Sequence, residues 1–242
     1  MKISIAQTRP IKGDILANID KHKILIELAS SLKATSIFFS ELSLTGYEPE
    51  LAKGLATNQD DTRLDIFQQI SNINKITIGL GIPTRTKTGI QISMIVFQPD
   101  RPRQTYSKQQ LHSDEFPFFE NGDRQIVLNI DNKKVVPAIC YESLQPDHSD
   151  NANKLGAEIY LASVAKSENG VNKAMTHYPE VAKNYSMPVL MSNCIGFCDN
   201  FVGAGFSAVW TKQGQLVGQL DDKNEGILIF DTETEEVIKH TV

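Results

Sequence analysis

Short apolar segments with strand character alternate with amphipathic segments along nearly the whole sequence, and this alternation restricts the possible fold more than any other feature. Strand character is found at residues 3–6, 37–39, 76–81, 90–97, 135–140, 158–162 and 189–193. Helical periodicity is found at residues 14–32, where Asp14 can cap the first turn, at 64–73 and at 171–185. Segments 204–210, 215–220 and 226–230 are typical of an antiparallel ending. The pattern predicts an α/β fold with mixed sheets.

Length and composition favour one domain. The chain has 242 residues, of which 40% are hydrophobic, and this is enough apolar material for a large core. No linker rich in proline, glycine or serine divides the sequence, and no charge run or short repeat interrupts it. We therefore predict a single α/β domain over residues 1–242.

Composition also excludes several classes of partner. No apolar run approaches the roughly 18 residues that a membrane-spanning helix needs, so we expect no membrane partner. The net charge of −5 is spread along the chain without a basic cluster, which makes nucleic acid an improbable ligand. Three cysteines, an odd number, indicate free thiols in a reducing compartment, and the apolar start is too short for a signal peptide. These features predict a cytoplasmic protein.

Cys140 ends an apolar strand and enters a turn. A sharp turn from strand to helix exposes a nucleophile and directs free backbone N–H groups toward it. The alternative is a buried structural cysteine, which is the ordinary role of an isolated cysteine. Cys194 and Cys198 fit that structural role, because no histidine nearby completes a zinc site.

Two further strand ends carry charged side chains that a reactive thiol would need. Glu41 follows the strand-like segment 36–40, and Lys108 follows a segment rich in β-forming residues. A carboxylate buried beside a thiol would have a raised pKa and could accept its proton. Taken one at a time, each residue could equally be an exposed side chain at the end of a strand.

The segment 107–122 is a long loop, and long ordered loops are often functional. Its aromatic side chains could fix the loop to the core, or they could enclose a pocket into which Glu115 points.

Other catalytic and cofactor-binding motifs are poorly supported by the sequence. His148 is flanked by Asp147 and Ser149, but adjacent residues cannot form a triad, and no Gly-x-Ser-x-Gly motif is present. Gly203-Ala204-Gly205 lacks the third glycine of a dinucleotide fingerprint and precedes a strand.

Considered together, these segments resemble the motifs of the nitrilase superfamily of carbon–nitrogen hydrolases over nearly the whole chain. Segment 38–47 resembles the motif of the general base, 106–111 the motif of the lysine that stabilises the oxyanion, and 139–142 the motif of the nucleophile. Segment 114–119 resembles the motif of the second glutamate, and residues 2–7, Asn193 and Gly196 also fit. The resemblance thus implies that Glu41, Lys108, Glu115 and Cys140 are catalytic.

This resemblance implies a four-layer αββα sandwich with the site at strand ends, and a homodimer or higher homo-oligomer. It implies that Cys140 attacks a small linear amide or N-carbamoyl amine, that the Tyr141 backbone N–H helps to bind the oxyanion, and that no cofactor or metal is needed. The alternatives are a nitrile hydrolase and a catalytically idle scaffold of the same fold. We expect no appended synthetase domain, because the chain is near the family's minimal length.

This sequence departs from the family at the positions that would line the pocket. It has Ser163-Val164-Ala165-Lys166 where many members have an aromatic residue, Val181 to Tyr185 where many have an Arg-Ala-x-Glu-Asn type of helix, and Tyr141 to Leu144 in place of an Asp-Leu-Arg-Phe type of segment. From the resemblance and from loop position, we predict a set of substrate-binding residues: Tyr47, Phe116, Tyr141, Glu142, Ser163 and Ala165.

Overall fold

The computed structural model describes residues 1–242, which form fifteen strands and five α-helices. The strands are β1 (Lys2–Gln7), β2 (Ser36–Phe38), β3 (Thr77–Arg85), β4 (Ile90–Phe97), β5 (Gln104–Ser107), β6 (Leu128–Ile130), β7 (Lys133–Ile139), β8 (Ile159–Ser163), β9 (Val189–Ser192), β10 (Ile195–Cys198), β11 (Phe201–Ala204), β12 (Ala208–Trp210), β13 (Leu216–Gln219), β14 (Gly226–Asp231) and β15 (Val237–Thr241).

The helices are α1 (Ile15–Ser31), α2 (Ala52–Leu55), α3 (Asp65–Asn74), α4 (Pro146–Lys154) and α5 (Glu168–Tyr185). Short 3₁₀ turns lie at Pro49–Leu51, Thr62–Leu64 and Cys140–Leu144. As expected, Asp14 caps α1, its carboxylate accepting a hydrogen bond from the Ala17 N–H at 3.0 Å. None of these helices combines the length and the apolar character that crossing a bilayer requires.

Two mixed sheets contain most of the strands. The first has the order β15-β14-β1-β2-β3-β4-β5, and the second has the order β13-β12-β9-β8-β7-β6. The neighbours β1, β2 and β3 are parallel, as are β7, β8 and β9, while the outer pairs are antiparallel. Strands β10 and β11 form a separate hairpin.

Three hydrophobic clusters separate four layers. One cluster lies between the sheets, the second between the first sheet and helices α1 and α3, and the third between the second sheet and helices α4 and α5. Strand β7 shows why the layers form, because Val135 and Ile139 face the other sheet whereas Val136 and Ala138 face the helices. The predicted αββα sandwich with mixed sheets is therefore confirmed.

The strand directions bring several strand ends to one edge of the sandwich. Strands β2 and β3 are parallel, and two successive antiparallel pairings give β5 the same direction, so β2 and β5 end at the same edge. In the second sheet, parallel β7 and β8 also end together. Side chains that follow such parallel strands meet in the crevice at their carboxyl ends.

The closing strands differ from the prediction. Segment 204–210 contains β12, which pairs antiparallel with β13 as expected, but β14 leaves that sheet and pairs antiparallel with β1 in the other. Strand β15 and the β10–β11 hairpin were not predicted, because their short mixed sequences give little periodicity. Helix α5 begins three residues before the predicted start and continues through Pro179.

Candidate active site

Three of the predicted catalytic side chains form a buried cluster around one ammonium group. Lys108 Nζ lies 2.8 Å from Glu41 Oε1 and 2.6 Å from Glu115 Oε1. All three side chains are almost completely shielded from solvent. The cluster therefore holds one positive and two negative charges in a region from which water is excluded.

Local backbone geometry places Glu41 and Lys108. Glu41 lies just after β2 in a turn that passes close to β3, where a Cβ atom on Gly81 would come within 2.3 Å of the Leu42 N atom. Only glycine fits this approach. Lys108 continues the pairing of β5 with β4, because its N–H donates to the Ile92 carbonyl at 2.9 Å. The long loop then returns to the same residue, where the Gly122 N–H donates to the Lys108 carbonyl at 2.7 Å.

The two carboxylates of the cluster differ in how fully they are bonded. Glu115 Oε1 accepts hydrogen bonds from Lys108 and, at 2.9 Å, from the Tyr47 hydroxyl, while Oε2 accepts from the His112 N–H at 2.7 Å. Glu41 accepts from Lys108 through Oε1, but its buried Oε2 has no partner. Glu41 is thus free to accept a further proton, whereas Glu115 is held as a positioning group.

Electrostatics keep the ammonium charged and make Glu41 a stronger base. Burial raises the pKa of Glu41, and the nearby charge of Lys108 opposes this rise while that of Glu115 adds to it. Burial alone would lower the pKa of Lys108, but the charges of Glu41, Cys140 and Glu115 outweigh burial and raise it. Lys108 therefore stays an ammonium ion at neutral pH.

Cys140 lies beside this cluster at the start of the 3₁₀ turn that follows β7. Its φ angle of +48° is in the left-handed region, an arrangement that costs a non-glycine residue about 1–2 kcal/mol. Burial raises the pKa of the half-buried thiol to about 11; the charge of Glu41 adds to the rise, and Lys166 and Lys108 oppose it. The thiol is therefore protonated at neutral pH and needs a base before it can attack.

A cavity of about 530 Å³ opens onto the thiol. This volume lies within the usual range for sites of small molecules, about 300–1,000 Å³. Three of the predicted substrate-binding residues, Tyr47, Tyr141 and Ala165, line it together with Lys108, Glu115 and Cys140. The remaining lining residues are His112, Asp114, Leu144, Gln145, Lys166, Ser167, Gly170, Lys173, His177 and Phe201.

Three other predicted substrate-binding residues are placed outside this cavity. Phe116 is 58% exposed on the outer surface of the long loop, because Phe119, not Phe116, packs into the core. Ser163 lies between the sheets, where its hydroxyl donates to the Phe39 carbonyl at 2.7 Å. Glu142 is fully buried behind the nucleophile. The prediction that these side chains contact substrate is not supported by their positions.

Glu142 instead joins the 3₁₀ turn that begins at Cys140 to the segment that carries Lys108. Its Oε1 accepts hydrogen bonds from the Tyr106 hydroxyl at 2.5 Å and from the Ile139 N–H at 2.7 Å, and its Oε2 accepts from the Gln109 N–H at 2.6 Å. Burial raises the pKa of Glu142 to about 7, and these donors oppose the rise. The carboxylate therefore fixes the distance between Cys140 and the segment that carries Lys108.

Lys166 and Asn193 also belong to the site, although no catalytic or binding role was predicted for either. Lys166 is 4% exposed, and its Nζ lies 3.4 Å from the Cys140 carbonyl oxygen and 4.0 Å from the sulfur. Asn193 fixes this loop, because its Oδ1 accepts from the Lys166 N–H at 2.8 Å and its Nδ2 donates to the Lys166 carbonyl at 3.1 Å. The only signal for Lys166 was its departure from the aromatic residue common in the family.

The residues set aside as structural lie away from the cavity. His148 is in helix α4, and its ring nitrogens lie 2.7 Å from the Tyr160 hydroxyl and 3.0 Å from the Tyr106 hydroxyl. The Cys194 and Cys198 sulfurs are buried 3.5 Å apart. No group of three or more histidine, cysteine, aspartate or glutamate side chains is arranged to hold a metal ion.

Replacing the Glu142 carboxylate tests its positioning role. In Glu142→Gln, the amide NH₂ group would face a donor, so we expect kcat for an amide substrate to fall about 10- to 100-fold with little change in KM. The free energy of unfolding should fall by about 1–3 kcal/mol, because a buried donor loses its acceptor. Kinetics and urea titration measure both quantities.

Glu180→Gln, at an exposed position of α5, is the matched control and should change neither. A rise in KM at unchanged kcat in Glu142→Gln would show instead that Glu142 contacts the substrate.

The sequence of this chain is similar to a family model and to several known proteins. The model of the carbon-nitrogen hydrolase family matches residues 2–239. The glutamine-dependent NAD(+) synthetase of Thermotoga maritima is 25% identical over 249 residues, covering 99% of this chain and 43% of the relative. That of Aquifex aeolicus is 24% identical, covering 94% of this chain and 41% of the relative. The chain thus spans less than half the length of these curated relatives.

Solved structures show the same fold. The amidase NitN from Nesterenkonia sp. AN1 superposes with a TM-score of 0.88 at 22% identity, covering 96% of this chain and 92% of the amidase. A variant of that amidase with acrylamide added at its active-site cysteine gives 0.88 at 21% identity, covering 97% and 94%. Because the family model covers nearly all of its length, the chain belongs to the carbon–nitrogen hydrolase family of the nitrilase superfamily.

Proposed function

We propose that this carbon–nitrogen hydrolase cleaves a non-peptide C–N bond in a small linear amide or N-carbamoyl amine through a thioester on Cys140, releasing ammonia. One observation carries the proposal. Lys108 is held between two buried carboxylates beside the thiol, and Glu41 Oε2 is left without a hydrogen-bond partner. That arrangement supplies a nucleophile, a base and a fixed cation at one point of the cavity.

In the first step, Glu41 takes the thiol proton as the Cys140 sulfur attacks the carbonyl carbon. The electron pair of the C=O double bond moves to oxygen, and the oxyanion lies between the Lys108 ammonium and the Tyr141 backbone N–H. Fixed donors of this kind typically lower the barrier by about 3–4 kcal/mol each. Lys108 needs no reorganisation for this role because Glu41 and Glu115 already hold it.

In the second step, the oxyanion collapses and the C–N bond breaks. Glu41 returns its proton to the nitrogen, so ammonia or an amine leaves and the acyl group stays on sulfur as a thioester. Glu41 then takes a proton from water, the hydroxide attacks the thioester, and the acid is released as the sulfur recovers its proton. Glu115, bonded to Tyr47 and to the His112 N–H, keeps Lys108 aligned throughout.

Two alternatives are a nitrile as the substrate and a protein without catalytic activity. A nitrile would react at the same sulfur, and an idle scaffold would bind without turnover. The intact set of Glu41, Lys108, Glu115 and Cys140 favours an active enzyme. The curated relatives are glutamine-dependent enzymes, so L-glutamine belongs in the substrate panel beside simple amides and nitriles.

We also propose, from the resemblance and the three free cysteines, that the enzyme is a cytoplasmic homodimer.

Removing the nucleophile is the first test of this function. Cys140→Ala should abolish ammonia release from every amide on the panel, and Lys108→Met should lower kcat by orders of magnitude because the oxyanion loses its cation. Ammonia release and circular dichroism measure activity and folding.

Cys198→Ala, which removes a buried thiol outside the cavity, is the control and should retain activity. Turnover in folded Cys140→Ala would refute covalent catalysis. A change confined to KM in Lys108→Met would make this residue a substrate-binding group.

The pH dependence of kcat/KM tests the base. Glu41 faces Lys108, Glu115, Cys140 and Tyr47, and burial raises its pKa above the ordinary value of 4.5. Below that raised pKa the carboxyl is protonated and cannot accept the thiol proton. Activity on a neutral amide should therefore fall as pH decreases, with an apparent pKa above 4.5 that belongs to the Glu41–Cys140 pair.

The fall should persist in Glu142→Gln, which removes the other buried carboxyl with a raised pKa. A profile that stays flat down to pH 4, in protein shown to remain folded, would contradict the role of Glu41.

A further inference from the structure

One part of the cavity wall is basic. Lys166 lies in the loop between β8 and α5, and Lys173 and His177 lie on α5; all three line the cavity. Neither lysine forms an ion pair with an acidic side chain. We call these three residues the basic wall. A chain with a net charge of −5 thus lines this cavity with two lysines that have no acidic partner, of which Lys166 is buried and Lys173 is exposed.

Lys166 is the innermost part of the basic wall. Its side chain is buried, yet Nζ contacts only the Cys140 carbonyl oxygen at 3.4 Å and the Cys140 sulfur at 4.0 Å. Burying an ammonium group is costly unless an anion and hydrogen-bond acceptors compensate for the lost water. Two weak contacts do not fill the three donor positions of this group. An acceptor is therefore missing on the side that faces the cavity.

Lys173 and His177 extend this wall toward the cavity mouth. They are four residues apart on α5, so their side chains share one face of the helix. His177 Nε2 is buried without a hydrogen-bond partner. Burial lowers the pKa of His177, and the charge of Lys166 lowers it further, so the ring is neutral and can donate one hydrogen bond.

Acidic residues of the cavity are engaged elsewhere. Glu115 is bonded to Lys108, and Asp114 Oδ1 lies 2.6 Å from His112 Nδ1. The charge of the cavity is thus divided: Lys108 is neutralised by its two carboxylates, whereas Lys166 and Lys173 have no acidic partner. A substrate that is neutral at the amide and negative at its other end matches this division.

Resting on the proposed function, the geometry points to a substrate that is the monoamide of a short dicarboxylic acid, with its free carboxylate bound by Lys166, Lys173 and His177. The carboxylate takes no part in bond making. The amide, already carrying one carboxylate, and water give the dicarboxylate and an ammonium ion, through the same Cys140 thioester. The cavity of about 530 Å³ has room for such a substrate.

Isosteric substrate pairs test the inference. Glutaramate and glutaramide, or succinamate and succinamide, have the same length and differ in one end group, carboxylate or neutral carboxamide. We expect wild-type kcat/KM to be at least about tenfold higher for the anionic member of a pair, because a buried hydrogen bond between charged groups, such as one from Lys166, is typically worth a factor of about ten or more. The cationic amide 4-aminobutanamide should be the poorest of these substrates.

Substitutions assign the preference to the basic wall. Lys173→Gln should lower the ratio of kcat/KM for glutaramate over glutaramide about two- to fivefold, which is the range of an exposed ion pair, mainly by raising KM for glutaramate. Lys166→Met should lower the same ratio, and the ratio cancels any effect of Lys166 on the thiol itself. Lys183→Gln, an exposed lysine on the same helix outside the cavity, is the matched control and should leave the ratio unchanged.

The outcomes separate this inference from the proposed function. Equal hydrolysis of both members of each pair, or a ratio that Lys173→Gln and Lys166→Met leave unchanged, would overturn the basic wall as a carboxylate site while the hydrolase stands. Hydrolysis of no amide on the panel would overturn both.

Discussion

The site depends on one buried ammonium group held between two carboxylates. Lys108 lies within 2.8 Å of Glu41 and 2.6 Å of Glu115, in a region closed to solvent. Three charges in such a place are stable only as a set, since removing one partner of a buried ion pair typically costs about 3–5 kcal/mol. The set carries one excess negative charge, and we propose that the oxygen left without a partner, Glu41 Oε2, is the base for the thiol.

The fold brings these groups together from separate parts of the chain. The ends of β2 and β5 supply Glu41 and Lys108 from one sheet, and the end of β7 supplies Cys140 from the other. Glu142, in the turn that begins at Cys140, then accepts hydrogen bonds from the Tyr106 hydroxyl and the Gln109 N–H, on either side of Lys108. Because the carboxylate is buried and rigidly bonded, the distance between nucleophile and cation is set by the scaffold, not by the substrate.

Much of this arrangement could be predicted from the sequence because it follows strand ends. The apolar run before Cys140 and the strand before Glu41 placed each residue at the end of a strand, and the four layers were implied by the resemblance to the family. For Ser163, the alternation of side chains along β8 was a signal that the prediction missed. Ile159, Leu161 and Ser163 are two residues apart and point to the same face, so the Ser163 hydroxyl lies between the sheets and not in the cavity.

Other residues could not be placed by such rules. Glu142 lies two positions after the nucleophile, where a substrate contact was plausible, but the turn directs its carboxylate back onto the Ile139 N–H. Phe116 and Phe119 belong to the same loop, and only the three-dimensional path of that loop decides which one is buried. The position of Lys166 beside the sulfur depends on Asn193, which lies far along the chain.

The thioester on Cys140 is the central intermediate of the proposed reaction, and mass spectrometry of the intact enzyme, acid-quenched within milliseconds of mixing with an amide substrate, detects it. We expect a mass increase equal to the substrate minus ammonia, mapped to the peptide that contains Cys140. Continued turnover with Cys140 unmodified at every quench time would contradict it.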